Sequence, residues 1–172
     1  LGRPFVAREL STEPRQYAAL VKRLLGSNMV ELRLGCRERV GVFAVRKKSG
    51  KLRLIINGRL SSLWFENLKG VHLATGLTMG STEVDEHGLV FLGQVDIADP
   101  FYNILIPEDL RDLFGLPGVK ARDLGLHELN GVPVDPGTLL YPVLKVCPMG
   151  WSQALYLCQE VLEHVVMDIA HL

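Results

Sequence analysis

The chain has 172 residues, of which 48% are hydrophobic and 22% are charged, and its 19 basic and 19 acidic side chains give zero formal net charge. This size and composition are ordinary for about one soluble globular domain. No apolar run approaches the roughly 18 residues that span a bilayer, which excludes membrane insertion, and the opening residues lack a secretory signal. We therefore expect an intracellular protein, and its start at Leu1 indicates a piece of a longer one.

Basic and acidic residues are unevenly distributed along the chain. Between Arg33 and Arg59 nine residues are basic and only Glu38 is acidic, so that ten of the 19 basic and eighteen of the 19 acidic residues lie elsewhere. Such a block is commonly a solvated surface, but it is also the electrostatic footprint of a protein that binds polyphosphate or nucleic acid. The three cysteines show neither a disulfide framework nor zinc-site spacing.

The first half of the chain predicts a helix and a hairpin. Apolar residues at helical spacing after an early proline predict a helix from Ser11 to Leu25. Two strands, Gly41 to Lys47 and Leu52 to Asn57, are joined by a tight turn at Ser49-Gly50, which gives a hairpin with a positively charged tip. A short helix or irregular arm from Arg59 to Leu68 and a glycine-rich loop from Lys69 to Gly88 follow.

The segment Gln94 to Pro107, QVDIADPFYNILIP, carries the most informative acid. An apolar run from Leu89 leads into it, so we expect a buried strand that ends at Asp96. An ionised Asp96 in such a strand needs a compensating partner, for which a divalent metal is the natural candidate. Three elements follow: a turn at Pro100, a short strand near Asn103 to Ile106, and a helix from Pro107 to about Phe114.

The last part of the chain predicts a strand, a turn and a long helix. After an excursion rich in glycine and proline, from Leu116 to Gly137, Tyr141 to Cys147 is expected to be a strand. Pro148 to Gly150 forms a turn, and Ser152 is a plausible N-cap of a helix that runs to the end. The apolar face of this helix comprises Leu155, Cys158, Val161, Leu162, Val165, Val166 and Ile169.

Three motifs occur in one order along the chain. They are Phe43-Ala44-Val45-Arg46-Lys47-Lys48 with Arg53 to Arg59, then Asp96-Ile97-Ala98-Asp99-Pro100-Phe101-Tyr102, and finally Pro148-Met149-Gly150-Trp151. Taken singly, each motif also has a purely structural explanation, as a solvated hairpin, a strand cap or a turn with a core aromatic. Together and in this order they resemble the fingers and upper palm of reverse transcriptases, the RNA-directed DNA polymerases of retroelements.

The resemblance implies a role for individual residues. Asp96, with the backbone carbonyl of Ile97, would bind two Mg²⁺ ions that activate the primer 3′-hydroxyl and stabilise the departing pyrophosphate. Asp99 would support the triphosphate, and Phe101 would exclude a ribose 2′-hydroxyl. Contacts to the incoming deoxynucleotide would come from Lys47, Arg53, Met149 and Gly150. Contacts to nucleic acid would come from Arg46, Lys48, Lys51 and Arg59.

Some positions depart from the family pattern. Asn57 stands where the family usually has Asp, Pro100 where a small residue is usual, and Met149 where many relatives carry Gln. The family also has a Tyr-x-Asp-Asp hairpin after the long helix, whereas this sequence contains no Asp-Asp pair. We therefore expect this polypeptide to be inactive as a polymerase by itself and to expose strand edges, such as that of the strand that begins at Tyr141.

The fold class implied is α+β, a partial right-hand polymerase with a fingers hairpin and a palm sheet packed on helices. A single partial domain, 1–172, would place about 1–88 and 115–140 in the fingers and about 89–114 and 141–172 in the palm. The implied partners are an RNA template, a DNA primer and deoxynucleoside triphosphates, without a membrane. Two alternatives are a non-catalytic nucleic-acid-binding remnant and the palm of an RNA-directed RNA polymerase, against which Phe101 argues.

Overall fold

The computed structural model describes residues 5–7, 10, 12–66, 76–81, 83 and 96–170. Within these ranges the fold is α+β, with small antiparallel sheets and several helices, as the sequence predicts. The strands are β1 (Val30–Arg33), β2 (Gly41–Arg46), β3 (Leu52–Asn57), β4 (Val119–Lys120), β5 (Glu128–Leu129), β6 (Val132–Pro133) and β7 (Leu139–Leu144). The α-helices are α1 (Pro14–Gly26), α2 (Arg59–Ser62), α3 (Gly76–Gly80), α4 (Ala121–Leu124) and α5 (Ala154–Ala170). Two 3₁₀ helices cover Pro100–Asn103 and Glu108–Leu113.

Helix α1 confirms the first predicted helix. Pro14 occupies its first turn, where the missing N–H costs nothing, and its buried side chains recur at helical spacing. Tyr17, Ala18 and Val21 pack against β4, α4 and β7 in one of two apolar cores, and Leu24 belongs to the other. The Tyr17 hydroxyl donates a hydrogen bond of 2.5 Å to the Pro117 carbonyl, which ties the helix to the chain before β4.

A three-stranded antiparallel sheet in the order β1-β7-β4 forms the other side of this core. Val30 pairs with Leu144 on one side of β7, and Val119 pairs with Leu140 on the other. The expectation that this strand exposes an edge is therefore wrong, because β7 is paired on both sides. It also starts two residues earlier than predicted, at Leu139.

The β2–β3 hairpin confirms the second prediction. Its register runs from Gly41 opposite Asn57 to Arg46 opposite Leu52, and Gly50 takes a φ of +81° in the turn. Glycine is suited to this turn because it has no Cβ to clash at positive φ. At the base of the hairpin Val42 and Ile56 are buried, whereas every residue from Ala44 to Arg53 is exposed.

The larger apolar core joins the base of the hairpin to the last strand and helix. Its buried members include Val40, Val42, Ile56, Ile106, Leu113, Phe114, Leu116, Leu144, Cys147, Trp151 and Ala154. An aromatic group lies at its centre: the ring of Phe114 is 5.1 Å from that of Trp151, and Phe65 is 4.9 Å from Trp151. Aromatic pairs at these distances add to the stabilisation that comes from burial alone.

A group of ion pairs holds the second 3₁₀ helix against β1. Arg33 donates to Glu31 at 2.6 Å and to Asp112 at 2.6 Å, and Arg111 donates to the other oxygen of Glu31 at 2.7 Å. All four side chains are at least half-buried, so these pairs are better shielded from solvent than ordinary surface pairs. The helix predicted after Pro107 is present, but it has the tighter 3₁₀ winding.

Several other predictions need correction. The strand expected at Asn103 to Ile106 is reduced to an isolated bridge between Leu105 and Val146. The glycine-rich loop contains helix α3, and the excursion after Leu116 contains β4, α4 and a β5–β6 hairpin. Helix α5 begins at Ala154, so Ser152 lies in the preceding turn and does not cap it. The strand expected before Asp96 lies at 89–95, outside the described residues.

Only the beginning of helix α5 is buried. Trp151, Gln153 and Ala154 are buried at the entry to the helix. Most of the predicted apolar face is exposed, with Leu155, Val161, Leu162, Val165 and Val166 each between 43% and 54% accessible. Cys158 on the same face is partly buried. The side chain of Ile169 lies outside the described residues.

Candidate nucleotide and nucleic-acid site

The tip of the β2–β3 hairpin, which we define as residues 46–53, presents a cluster of exposed cations. The tight turn places Arg46, Lys47, Lys48, Lys51 and Arg53 within one short loop and its two flanking strand ends. The backbone is closed by the Lys47 N–H, which donates to the Lys51 carbonyl at 2.7 Å. Among the described residues, no carboxylate lies within ion-pair distance of these five side chains.

Arg59 lies at the other end of β3. Its backbone N–H donates to the side-chain oxygen of Asn57 at 3.2 Å, which turns the chain from β3 into α2. Asn57 therefore has a local backbone partner in place of the ion pair that Asp would offer to Arg59. The Arg59 side chain is exposed.

The acidic motif forms an exposed turn. Asp96, Ile97 and Asp99 are all exposed, so Asp96 is not the buried acid that the apolar run suggested. The burial argument for a compensating cation therefore does not apply to it. Asp99 adopts left-handed backbone geometry with a φ of +48°, which Asp tolerates better than most residues, and it precedes the 3₁₀ helix that begins at Pro100.

The side chain of Asn103 stabilises this turn by hydrogen bonds to its backbone. Its side-chain amide donates to the carbonyls of Ala98 and Asp99 at 3.3 and 3.4 Å, and the Tyr102 N–H donates to the Asp99 carbonyl at 3.0 Å. Phe101 packs against the larger core and is partly buried. Phe101, which the resemblance assigns to exclusion of the ribose 2′-hydroxyl, therefore also anchors this turn to the larger core.

Tyr102 is influenced by charges of both the acidic turn and the hairpin. Burial and the negative charge of Asp99 raise the pKa of Tyr102, and the positive charge of Arg53 opposes them.

The third motif lies against the far end of β3. A Cβ atom on Gly150 would clash with the Ile56 carbonyl, and one on Gly58 would meet the Gly150 carbonyl at 3.2 Å. Each glycine therefore allows two backbones to touch. The Ser152 N–H donates to the Ser62 hydroxyl at 3.1 Å. The close approach of Gly150 to Ile56 and Gly58 therefore explains why a glycine is needed at this position, independently of any nucleotide.

Met149 is 47% exposed beside this glycine, and Ile97 is 46% exposed in the acidic turn. No hydrogen bond or ion pair between described residues joins Lys47, Lys48 or Lys51 to Asp96. The motif segments meet around β3 and the larger core, to which β2, β3, the first 3₁₀ helix and the start of α5 all contribute side chains.

The described residues do not assemble a magnesium site. Asp96 is the kind of oxygen ligand that Mg²⁺ prefers. However, no group of three His, Cys, Asp or Glu side chains converges anywhere in the described ranges. One exposed carboxylate and a backbone carbonyl are too few to hold a pair of ions, so these residues alone do not fit a two-metal centre.

Arg37 and Trp64 form an exposed pair that the sequence does not predict. The Arg37 guanidinium carbon lies 4.9 Å from the centroid of the Trp64 ring. Arg37 belongs to the basic block, but no spacing rule connects it to an aromatic so far along the chain. The backbone of Arg37 and that of Ser61, to which Trp64 is hydrogen-bonded, are both tied to the end of the second 3₁₀ helix, at Asp112 and Leu113.

No described helix is both long enough and apolar enough to cross a bilayer. No model of a known protein family matches the chain, and no curated protein matches it either.

Proposed function

We propose that the chain is part of an RNA-directed DNA polymerase of the retroelement type. In this proposal the β2–β3 hairpin belongs to the fingers, and the acidic turn and the Pro148 to Trp151 turn belong to the palm. Its partners are an RNA template, a DNA primer and deoxynucleoside triphosphates. The observation that carries the proposal is the cluster of five exposed cations at the hairpin tip, in a chain whose three motifs follow one another in the order of that family.

The charges of the hairpin tip support a phosphate ligand. Five exposed cations without a described acidic partner repel one another, and a polyanion would relieve this repulsion. Arg53 offers a planar fork that matches phosphate oxygens, and Lys47 offers a mobile point charge. Both features suit a triphosphate held at the tip, with neighbouring nucleic-acid phosphates contacted by Arg46, Lys48 and Lys51. When no triphosphate is bound, Lys47 and Arg53 would contact nucleic-acid phosphates as well.

Asp96 and the carbonyl of Ile97 would contribute part of a Mg²⁺ ligand set. Because Asp96 belongs to no group of three potential metal ligands among the described residues, we assign no catalytic step to this polypeptide alone. The purified 172-residue chain should therefore not extend a primer. Incorporation of nucleotides by this chain that is lost in Asp96→Asn would contradict this expectation.

Binding of a labelled RNA–DNA template–primer, measured by fluorescence anisotropy over a range of salt concentrations, tests the proposal. Lys47→Ala with Arg53→Ala should weaken binding and lower the slope of log K against log salt by about 2, since each lost phosphate contact removes about 0.9 from that slope for a B-form duplex. Lys22→Ala with Arg23→Ala is the matched control, because it removes two exposed charges from α1. Equal losses in both variants, or no affinity at low salt, would count against the hairpin as the binding surface.

A non-catalytic nucleic-acid-binding protein is the second candidate. The exposed tip favours it, as does the lack of a group of three potential metal ligands among the described residues. The two candidates differ in their response to a deoxynucleoside triphosphate with Mg²⁺. A polymerase site should bind the triphosphate through Lys47 and Arg53, so that the double variant loses this affinity too. Retained nucleic-acid binding with no triphosphate affinity in the unaltered chain would favour the second candidate.

A further inference from the structure

We infer that Arg37 and Trp64 form a platform on which an unpaired base of a single-stranded RNA template stacks, an inference that rests on the proposed function. The Trp64 ring is 53% exposed, and the Arg37 guanidinium lies 4.9 Å from its centroid. An exposed aromatic ring with a guanidinium over it offers two planar groups on which a base can stack and a charge for its phosphate. Neither residue belongs to the three motifs of the sequence.

The backbones of both residues are anchored to the fold. The backbone N–H of Trp64 donates to the Ser61 carbonyl at 3.1 Å, and the buried Ser61 hydroxyl donates to the Leu113 carbonyl at 2.5 Å. Phe65, next to Trp64, packs into the aromatic centre of the larger core. The backbone N–H of Arg37 donates to the Asp112 carbonyl at 2.9 Å. An anchored backbone reduces the conformational entropy that is lost when a base stacks on the two side chains.

The charge around the platform favours a polyanion. Arg37 and Arg39 are exposed. Of the nearby acids, Asp112 is paired with the Arg33 guanidinium at 2.6 Å, and Glu38 accepts a hydrogen bond from the backbone N–H of Arg39 at 2.8 Å. A single strand fits better than a duplex, since a duplex keeps the faces of its bases stacked inside and leaves none for Trp64.

Intrinsic fluorescence can follow the platform directly in the unaltered protein. The chain has two tryptophans, and the other, Trp151, is only 6% exposed. The emission that acrylamide quenches should therefore come chiefly from Trp64. A 12-nucleotide single-stranded RNA should protect this emission from the quencher. Unchanged quenching when the RNA is saturating would overturn the inference, whatever the variants show.

Variants separate stacking from charge. Trp64→Leu should weaken binding of the 12-nucleotide RNA about tenfold or more while the salt dependence stays the same, and Trp64→Phe should restore most of the affinity. Leu63→Ala, at an adjacent residue that is 68% exposed, is the matched control and should bind normally. Affinity of Trp64→Leu within twofold of the unaltered chain, or an equal loss for single-stranded and duplex RNA, would overturn the inference.

The outcome for the platform is distinguishable from that for the hairpin. If Lys47→Ala with Arg53→Ala abolishes RNA binding while Trp64→Leu binds normally, the platform is wrong and the proposed function survives. If Trp64→Leu weakens binding and the hairpin variant does not, the platform is supported and the hairpin assignment fails. If the unaltered chain does not bind RNA, both are overturned.

Discussion

The base and the tip of the β2–β3 hairpin belong to the same two strands but have opposite environments. At the base, Val42 and Ile56 are 0% and 3% exposed, and Gly41 touches the backbone of Phe5. At the tip, five cations point into solvent without a described acidic partner. Stability and the proposed binding function are thus separated along one element. Changes at the base should unfold the protein, whereas changes at the tip should alter binding alone.

The largest effect should come from the core beneath the base. Phe114 is fully buried and contacts the rings of Phe65 and Trp151. Phe114→Ala leaves a cavity at the centre of the aromatic group, so the free energy of unfolding should fall by about 3 to 5 kcal/mol. Urea denaturation followed by circular dichroism measures this loss. A loss below about 1 kcal/mol would show that this core does not hold the hairpin base.

A substitution at Gly150 tests the contact between the end of β3 and the turn before α5. Gly150→Ala places a methyl group against the Ile56 carbonyl at the end of β3, and we expect a loss of about 1 to 3 kcal/mol from overpacking, without any nucleotide present. Gly26→Ala is the matched control, because a Cβ there meets nothing within 4 Å. A fully stable Gly150→Ala that binds nucleotide poorly would instead indicate that this glycine serves the ligand alone.

The sequence predicts the local elements better than their packing. The hairpin and α1 are recognisable because their apolar and turn residues recur at fixed local spacings. The pairing of β7 between β1 and β4 and the contact of Gly150 with β3 depend on residues far apart in the chain, which no local period encodes. The same reason hides the Arg37–Trp64 pair. The prediction that Asp96 is buried is wrong because an apolar run indicates burial of its own residues and not of the acid that follows them.

An intermediate effect should come from Tyr17, which lies in the other core. Tyr17→Phe leaves the Pro117 carbonyl without its donor, so the free energy of unfolding should fall by about 1 kcal/mol at neutral pH. Burial raises the pKa of Tyr17 well above its usual value, and burial with the charge of nearby Cys158 raises the pKa of Cys147 to about 12.

These raised pKa values give the sign of the pH dependence. The stabilising contribution of the protonated Tyr17 and Cys147 side chains is fully present below the ordinary pKa values of these groups, about 10 for Tyr and 8.5 for Cys. Below those values both side chains are protonated in the folded and in the unfolded state. Above those values the unfolded chain loses protons first, so stability should fall as pH rises toward about 12. Denaturation curves from pH 7 to 11 should show a shallower fall for Tyr17→Phe. An identical fall in both proteins would exclude Tyr17 as a contributor.

The smallest effect on stability should come from the tip. Lys48 and Lys51 lie in the turn among other cations, so Lys48→Ala with Lys51→Ala removes repulsion and no described ion pair. The free energy of unfolding should change by less than about 0.5 kcal/mol, with any gain greatest at low salt, where like charges repel over the longest range. Thermal melts at about 0.02 and 0.5 M salt measure this difference. A loss above about 1 kcal/mol would mean that these charges have partners in the fold, and the separation between base and tip would then fail.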